Sequence, residues 1–259
     1  MLKFAANLTW LFNEAPFIER FALAARAGFN GVECLFPYQE PLGGIADARR
    51  QNGLEMVLIN APAGDWARGE RGLASLPGRD EEFRQSLHLA REYARALGCR
   101  QVHVMAGNRD ESISFERQYI LLKDRMSYAA DFFLPDNIRV LVEPLNGGDM
   151  PGYFIPSFYL ADKLIMDCNK QNIYLQFDIY HCQKIQGNLS AALQHYRALI
   201  SHIQIASVPQ RQEPDSGELH LPWILKQLEQ QDYQGWIGCE YRPATETHAG
   251  LGWLENYKQ

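Results

Sequence analysis

The stretch YLQFD at residues 174–178 is a short hydrophobic run that ends in a carboxylate. Two other runs in the second half of the chain have the same design, VLVE at 140–143 and WIGCE at 236–240, and a third, HIQI at 202–205, carries the amide of Gln204 next to its end. The strands of a parallel barrel point their carboxyl ends at one mouth, where barrel enzymes hold their chemistry. The polar residues at or near the ends of these runs are therefore predicted to converge: Glu143, Asp178, Gln204 and Glu240.

Strand-like runs alternate with amphipathic segments along the whole chain. The predicted strands are 3–8, 31–35, 55–60, 101–105, 139–143, 173–178, 202–206 and 236–241, and the clearest helical patterns are 17–27, 81–97, 117–133, 158–168, 189–199 and 223–231. Such alternation implies a parallel sheet, and 259 residues are typical of eight strand and helix units. We predict an α/β fold, a single (β/α)8 TIM barrel over residues 1–259.

A doubly wound sheet is the rival α/β fold. It would need a glycine-rich phosphate fingerprint after an early strand, and neither G-x-G-x-x-G nor a Walker loop occurs. The longest connection of the barrel is 61–79, which contains Trp66, Arg68, Arg71 and Arg79. A structureless loop of this length is uncommon and is usually functional or mobile.

The amino-acid composition and net charge indicate which classes of protein fit this sequence. Hydrophobic residues make up 46% and charged residues 22%, which is typical of a globular domain, and the net charge of −6 argues against nucleic acid as a partner. The five cysteines form no C-x-x-C pair, which favours a reducing cytoplasm. Residues 1–16 are too polar for a signal-peptide core, and no apolar run approaches a membrane span. The sequence leaves room for a homo-oligomer.

The four strand-end residues offer only oxygen ligands. Carboxylate and amide oxygens suit a hard divalent cation such as Mg²⁺ or Mn²⁺, whereas soft metals prefer thiolate or imidazole. Three buried carboxylates would repel one another strongly unless a cation held them ionised or at least one kept its proton. The pattern therefore favours a metal-dependent enzyme.

Other polar residues lie close to the predicted mouth. His181 and Lys184 follow Asp178 and could belong to an ordinary polar loop. Alternatively, His181 could lie beside the metal, where it orients a ligand or contacts the substrate, and Lys184 could supply positive charge to an anionic group. His103 lies inside a strand-like run, where it is either a satisfied core histidine or a substrate contact.

Seven longer motifs carry a resemblance to a known family. They are FAANL (4–8), GVECLFPY (31–38), PAGDW (62–66), GERG (69–72), LPGR (76–79), FDIYH (177–181) and GWIGCEY (235–241). With these motifs the chain resembles the hydroxypyruvate isomerase family of xylose-isomerase-like barrels, from about residue 4 to residue 253. The closely related 2-oxo-tetronate isomerases are similar too: VHVMAG at 102–107 resembles them, whereas GDW, EPLN at 143–146 and DIYH resemble hydroxypyruvate isomerases.

The resemblance implies roles for the strand-end residues. Glu143 and Glu240 would be the acid/base pair, and they would bind the divalent metal together with Asp178 and Gln204. The implied substrate is a small hydroxy-oxo acid, which loses a proton from C3 and regains one at C2 through an enediolate.

The substrate carboxylate needs cationic or polar partners. Lys184, His181, His103 and Arg242 are the nearest candidates, and Arg79 could reach in from the long loop. Glu33 and Asn60, near the ends of the second and third predicted strands, either line the pocket or make structural hydrogen bonds.

Three rival functions fit parts of the same pattern. A ketose 3-epimerase also uses a metal and two glutamates, but it returns the proton to the opposite face of the same carbon. A barrel-type DNA-repair endonuclease needs several metals and more than the seven histidines present. A binding protein that had lost catalysis would have no need of both Glu143 and Glu240.

Overall fold

The computed structural model describes residues 2–257, and its centre is a closed barrel of eight parallel strands. The strands are β1 (Lys3–Asn7), β2 (Gly31–Cys34), β3 (Glu55–Asn60), β4 (Gln101–His103), β5 (Arg139–Val142), β6 (Ile173–Asp178), β7 (Ile200–Ile205) and β8 (Trp236–Cys239). Each strand pairs with the next in sequence, and β8 closes the barrel against β1. The predicted barrel and all eight predicted strands are thereby confirmed.

Helices surround the barrel. They are α1 (Phe17–Arg26), α2 (Leu42–Gln51), α3 (Asp80–Leu97), α4 (Phe115–Phe133), α5 (Phe158–Cys168), α6 (Ile179–Ile185), α7 (Leu189–Tyr196) and α8 (Leu221–Gln230). The six predicted helices are present, with ends that shift by at most three residues. Across residues 2–257, no helix has the length and apolar character needed to cross a membrane.

Two helices, α2 and α6, were not predicted, and the chain after β8 does not form the α-helix that a (β/α)8 barrel would place there. The first turn of α2 contains Gly43 and Gly44, whose low helix propensity weakens the sequence pattern. The segment of α6 has a polar sequence, but the carboxylate of Asp178 accepts hydrogen bonds from the main-chain nitrogens of Tyr180 and His181 and so caps the helix. After β8 the barrel is covered by a 3-10 segment, Thr247–Tyr257, in place of a final α-helix.

Glycine allows a buried carboxylate to enter the barrel interior. A Cβ atom at Gly238 of β8 would lie 2.3 Å from Oε2 of Glu33 on β2, so only glycine leaves room for that carboxylate. An apolar group inside the barrel, Ala5, Val57, Leu58, Leu141 and Trp236, packs as a small cluster of its own. Side chains therefore fill the interior, and the open cavity lies at the carboxyl ends of the strands.

The long connection after β3 is attached to the segment that follows β4. Gly72 forms an antiparallel bridge with Ala106, and the nitrogen of Ser75 donates to the carbonyl of Ala106 at 2.7 Å. Gly72 has φ of +127°, and a Cβ atom there would lie 2.3 Å from the carbonyl oxygen of Met105. Only glycine fits this close approach of two main chains. The loop is therefore an ordered wall of the mouth.

Candidate active site

The four predicted strand-end residues meet at the carboxyl-terminal mouth of the barrel. Glu143 and Glu240 each follow their strand by one residue, Asp178 ends β6, and Gln204 is the next-to-last residue of β7. All four are at least 94% buried. Glu143, Gln204 and Glu240 line a cavity of about 470 Å³, and Asp178 contacts it through the cavity-lining Arg211.

Arg211 is the cation of the cluster, with 13% of its side chain exposed, and sequence reasoning did not find it. Its Nη2 lies 3.1 Å from Oε2 of Glu240 and 3.4 Å from Oδ2 of Asp178. Its main chain is held in place because its nitrogen donates to the carbonyl of Ser207 at 2.9 Å and its carbonyl accepts from the nitrogen of Arg242 at 2.8 Å. Arg211 lies in the irregular connection between β7 and α8, with φ of 56°, where no periodic pattern announces it.

Burial controls the protonation of the three carboxylates. It raises the pKa of Glu143 well above its ordinary value, and the neighbouring charges of Glu240 and Asp178 add to this effect. It also raises the pKa of Asp178, and that of Glu240 to about 7, although Arg211 opposes both shifts. One arginine does not balance three carboxylates, so the cluster retains protons near neutral pH unless more positive charge is supplied.

Glu33 supports the cluster from inside the barrel. Its Oε1 accepts hydrogen bonds from Nδ2 of Asn7 at 2.9 Å and from Nε2 of Gln204 at 2.8 Å. Its Oε2 lies 2.6 Å from Nε2 of His202. Glu33 lines the cavity as predicted, but both of its oxygens are engaged by barrel residues. Both roles predicted for it, lining the pocket and making structural hydrogen bonds, are therefore observed.

The bond to Glu33 sets the orientation of the next side chains. Because the amide nitrogen of Gln204 faces Glu33, its Oε1 points the other way and accepts from Nε2 of Gln176 at 2.7 Å. Gln176 also donates to Oε2 of Glu143 at 3.0 Å. Gln176 was missed at the sequence level, although its position two residues before Asp178 on β6 places both side chains on the same face of the strand.

The two predicted histidines of the mouth are both buried and neutral. Nδ1 of His181 accepts from the main-chain nitrogen of Asn146 at 3.0 Å, so its proton is on Nε2, 3.7 Å from Oδ2 of Asp178. Burial, with a contribution from Arg211, lowers the pKa of His181 well below its ordinary value. Burial lowers the pKa of His103 to about 3, and its Nδ1 lies 3.5 Å from Oε2 of Glu143. Both rings can donate a hydrogen bond to a substrate oxygen.

Two of the four predicted metal ligands, Glu143 and Asp178, bring carboxylate oxygens close enough to share a cation. Within residues 2–257, one group of three His, Cys, Asp or Glu side chains brings ligand atoms within 4.8 Å of one another: Glu143, Asp178 and His181. Because Nε2 of His181 carries the proton, we assign His181 as a donor and not as a ligand. Oε1 of Glu143 is buried without a hydrogen-bond partner among residues 2–257, as expected of an oxygen that faces a cation.

The remaining predicted contacts divide into two groups. Lys184, Arg242 and Asn60 line the cavity, where Lys184 pairs with Asp149 at 2.8 Å. Arg79 does not line it. Its guanidinium pairs instead with two carboxylates, Glu70 at 2.7 Å and Glu82 at 2.5 Å, which hold it away from the mouth. The loop arginine that lines the cavity is Arg71.

A closed parallel barrel with buried carboxylates and an arginine at its carboxyl-terminal mouth is the design of a TIM-barrel enzyme. The sequence matches the family described as "Xylose isomerase-like TIM barrel" over residues 21–257, and the chain belongs to this family.

Relatives match the chain over its full length. It is 43% identical to the hydroxypyruvate isomerase of Escherichia coli, with 100% of both chains covered, and 44% identical to a 2-oxo-tetronate isomerase of Cupriavidus necator, with 99% of both covered. A crystal structure from Brucella melitensis, described as an AP endonuclease of family 2, superposes with a TM-score of 0.97 at 47% identity and full coverage of both chains. The resemblance inferred from the sequence motifs is thereby confirmed.

The raised pKa of Glu240 predicts how stability depends on pH. Between its ordinary value of 4.5 and about 7, the folded protein keeps a proton that the unfolded chain releases, so stability falls as pH rises. Relative to Glu240→Gln, we expect the chelator-treated wild-type protein to lose up to about 3 kcal/mol more unfolding free energy between pH 5 and pH 8. Urea unfolding at both pH values, with and without Mn²⁺, measures this loss.

Added Mn²⁺ should offset most of the loss, since a bound cation favours the ionised carboxylates. Glu240→Gln is the reference, because it removes this titrating group while the other carboxylates and the histidines of the mouth still titrate. Equal changes in stability of the wild type and Glu240→Gln between the two pH values in chelator would contradict the assignment.

Proposed function

We propose that this chain is a divalent-metal-dependent isomerase that interconverts hydroxypyruvate and tartronate semialdehyde. One observation carries the proposal: Glu143 and Glu240, two buried glutamates with raised pKa values, face the same cavity at the barrel mouth. Full-length relatives at 43% and 44% identity are isomerases of small oxo acids, which supports the same chemistry.

The two glutamates are suited to moving one proton between adjacent carbons. In the forward direction one carboxylate removes a proton from C3, and the other, as the carboxylic acid, delivers a proton to C2, while the hydroxyl proton of O3 passes to O2. A pKa of about 7 allows Glu240 to act as either base or acid at neutral pH. The reverse reaction exchanges the two roles.

Neighbouring side chains would stabilise the enediolate between these steps. The neutral rings of His103 and His181 can donate to substrate oxygens, and Arg211 places positive charge beside Glu240. Glu143, Asp178, Gln204 and Glu240 would hold Mg²⁺ or Mn²⁺, which when bound polarises the substrate carbonyl as a Lewis acid.

A 2-oxo-tetronate isomerase is the second candidate function. It is favoured by the Cupriavidus necator relative, whose 44% identity is as high as that of the hydroxypyruvate isomerase. Conversion of a 2-oxo to a 3-oxo tetronate moves a proton from C3 to C2 in the same way. The same two glutamates would serve both reactions.

Proton NMR in D₂O on hydroxypyruvate and 2-oxo-tetronate, side by side, tests the proposal. We expect deuterium to enter C3 of hydroxypyruvate, exchange to stop in chelator, and Mn²⁺ or Mg²⁺ to restore it. Exchange confined to 2-oxo-tetronate would select the second candidate. Failure of exchange in both acids, with inversion of a ketose carbon or incision of abasic DNA, would overturn the proposal in favour of an epimerase or an endonuclease.

We also propose that the enzyme works in a reducing cytoplasm. All five cysteines are free and buried, and none is paired in a disulfide. Burial raises the pKa of the Cys34 and Cys239 thiols well above its ordinary value, which keeps them protonated and unreactive. Small-molecule metabolism in that compartment is consistent with this use of cysteine.

A further inference from the structure

Four cationic side chains line the cavity, and two of them are already neutralised. Lys184 pairs with Asp149, and Arg211 pairs with Asp178 and Glu240. The other two cations, Arg71 and Arg242, have no carboxylate within 4.0 Å among residues 2–257. An anionic substrate group that enters this cavity therefore meets uncompensated positive charge at these two places.

Arg71 is held in one position on the ordered loop. Its guanidinium carbon lies 4.0 Å from the ring centroid of Trp66, which in turn packs against Phe36 at 5.3 Å. Nη1 donates to the carbonyls of Trp66 at 3.1 Å and Glu70 at 2.7 Å. Within the described residues its Nε and Nη2 make no hydrogen bond, so these donors remain available to a ligand.

The carboxylate next to Arg71 in sequence is prevented from neutralising it. Glu70 accepts from both terminal nitrogens of Arg79, at 2.7 and 3.2 Å, and from the main-chain nitrogen of Asp65 at 2.6 Å. The hydrogen bond from Arg79 lowers the pKa of Glu70, which therefore stays ionised but engaged. Arg79 thus has a structural role, since it keeps the charge of Arg71 uncompensated.

Arg242 is the weaker anchor for an anion. Its side chain is exposed, and its guanidinium carbon lies 4.8 Å from the ring centroid of Trp10. Arg71 is less exposed and is fixed by two main-chain carbonyls, so it loses less conformational freedom when a ligand binds. A planar guanidinium with free donors is also suited to the two oxygens of a carboxylate.

We propose that Arg71 binds the substrate carboxylate and sets the preference of this cavity for oxo acids over neutral ketoses. The inference rests on the proposed function, since it assigns one end of that substrate to the loop wall. The reacting carbons then face the glutamates while the carboxylate is held by residues outside the barrel strands.

Arg71→Met, compared with the control Arg68→Met, tests the role. Arg68 is three residues away on the same loop, its side chain is 86% exposed and it does not line the cavity. We expect Arg71→Met to raise KM for hydroxypyruvate roughly 10- to 100-fold, the effect of losing a charged hydrogen bond, with a much smaller change in kcat. Arg68→Met should behave as wild type, and Arg71→Lys should recover part of the loss.

Binding of an unreactive pair of ligands separates this inference from the proposed function. Glycerate carries the carboxylate but has no carbonyl to isomerise, and glycerol has a hydroxymethyl group in its place. In calorimetry, Arg71→Met should weaken glycerate binding by a similar factor and leave glycerol binding unchanged. Glycerate affinity equal to that of wild type would overturn the inference, even if hydroxypyruvate turns over. If Arg71→Met weakens glycerate binding but the wild-type protein does not convert hydroxypyruvate, only the proposed reaction is refuted.

Discussion

Glu143→Gln and Glu240→Gln should each lower the turnover of hydroxypyruvate by about 10²–10⁴-fold, the usual contribution of a positioned acid or base. Glutamine keeps the size of the side chain and one oxygen, but it cannot accept and return a proton. Both side chains face the cavity, and burial raises the pKa of both. Rates of carbonyl transfer and of deuterium entry at C3 measure the effect.

A loss of turnover in these variants is assigned to proton transfer only when the variant still binds its metal. Each variant should be assayed after its bound Mn²⁺ has been quantified, because both glutamates also belong to the proposed ligand set. Glu92→Gln, an exposed glutamate on α3, is the matched control and should keep wild-type rates. Near-normal turnover by either site variant with full metal would remove that residue from the acid/base pair.

Glu33→Ala should lower the free energy of unfolding by about 3–5 kcal/mol, as when one partner of a buried charged network is removed. The change leaves the amides of Asn7 and Gln204, and the ring of His202, without their common acceptor in the barrel interior. Urea denaturation measures the loss. Glu92→Ala on the surface should change stability by less than about 0.5 kcal/mol.

The same substitution should weaken metal binding, because Glu33 sets which way the Gln204 amide faces. Loss of a partner that orients a ligand typically lowers metal affinity by about 10- to 100-fold. Glu33→Gln keeps the volume but loses one acceptor, so we expect intermediate stability. If Glu33→Ala were as stable as wild type, the hydrogen bonds around Glu33 would not hold the barrel mouth together.

The barrel and its strand ends were predictable because their signals are local. Hydrophobic runs, helical periodicity and a polar residue at the end of each late strand can all be read within short windows of sequence. Asp178 shows the limit of that approach. It was predicted as a metal ligand, and the structure adds that one of its oxygens caps α6, a helix whose polar sequence suggested a loop.

Contacts between distant segments could not be predicted. Arg211 reaches the carboxylates from an irregular connection, and its position depends on main-chain bonds to Ser207 and Arg242. Which of the three arginines of the long loop lines the cavity could not be predicted either. Arg79 was predicted from the sequence as a substrate contact. Its ion pairs with Glu70 and Glu82 hold it outside the cavity, and Arg71 lines the cavity instead. Whether an arginine reaches the cavity depends on the partners that the fold brings next to it, and not on its residue type.

The main-chain attachment of Gly72 to Ala106 bears on how this barrel could diversify. Hydrogen bonds between backbones do not depend on neighbouring side chains, so the loop keeps its place while its outward residues vary. In the proposed mechanism the residues at the strand ends transfer the proton, whereas the wall proposed to select ligands lies on a separately anchored segment. Exchange of residues 61–79 between relatives therefore offers a modular route to a new specificity on an unchanged catalytic core.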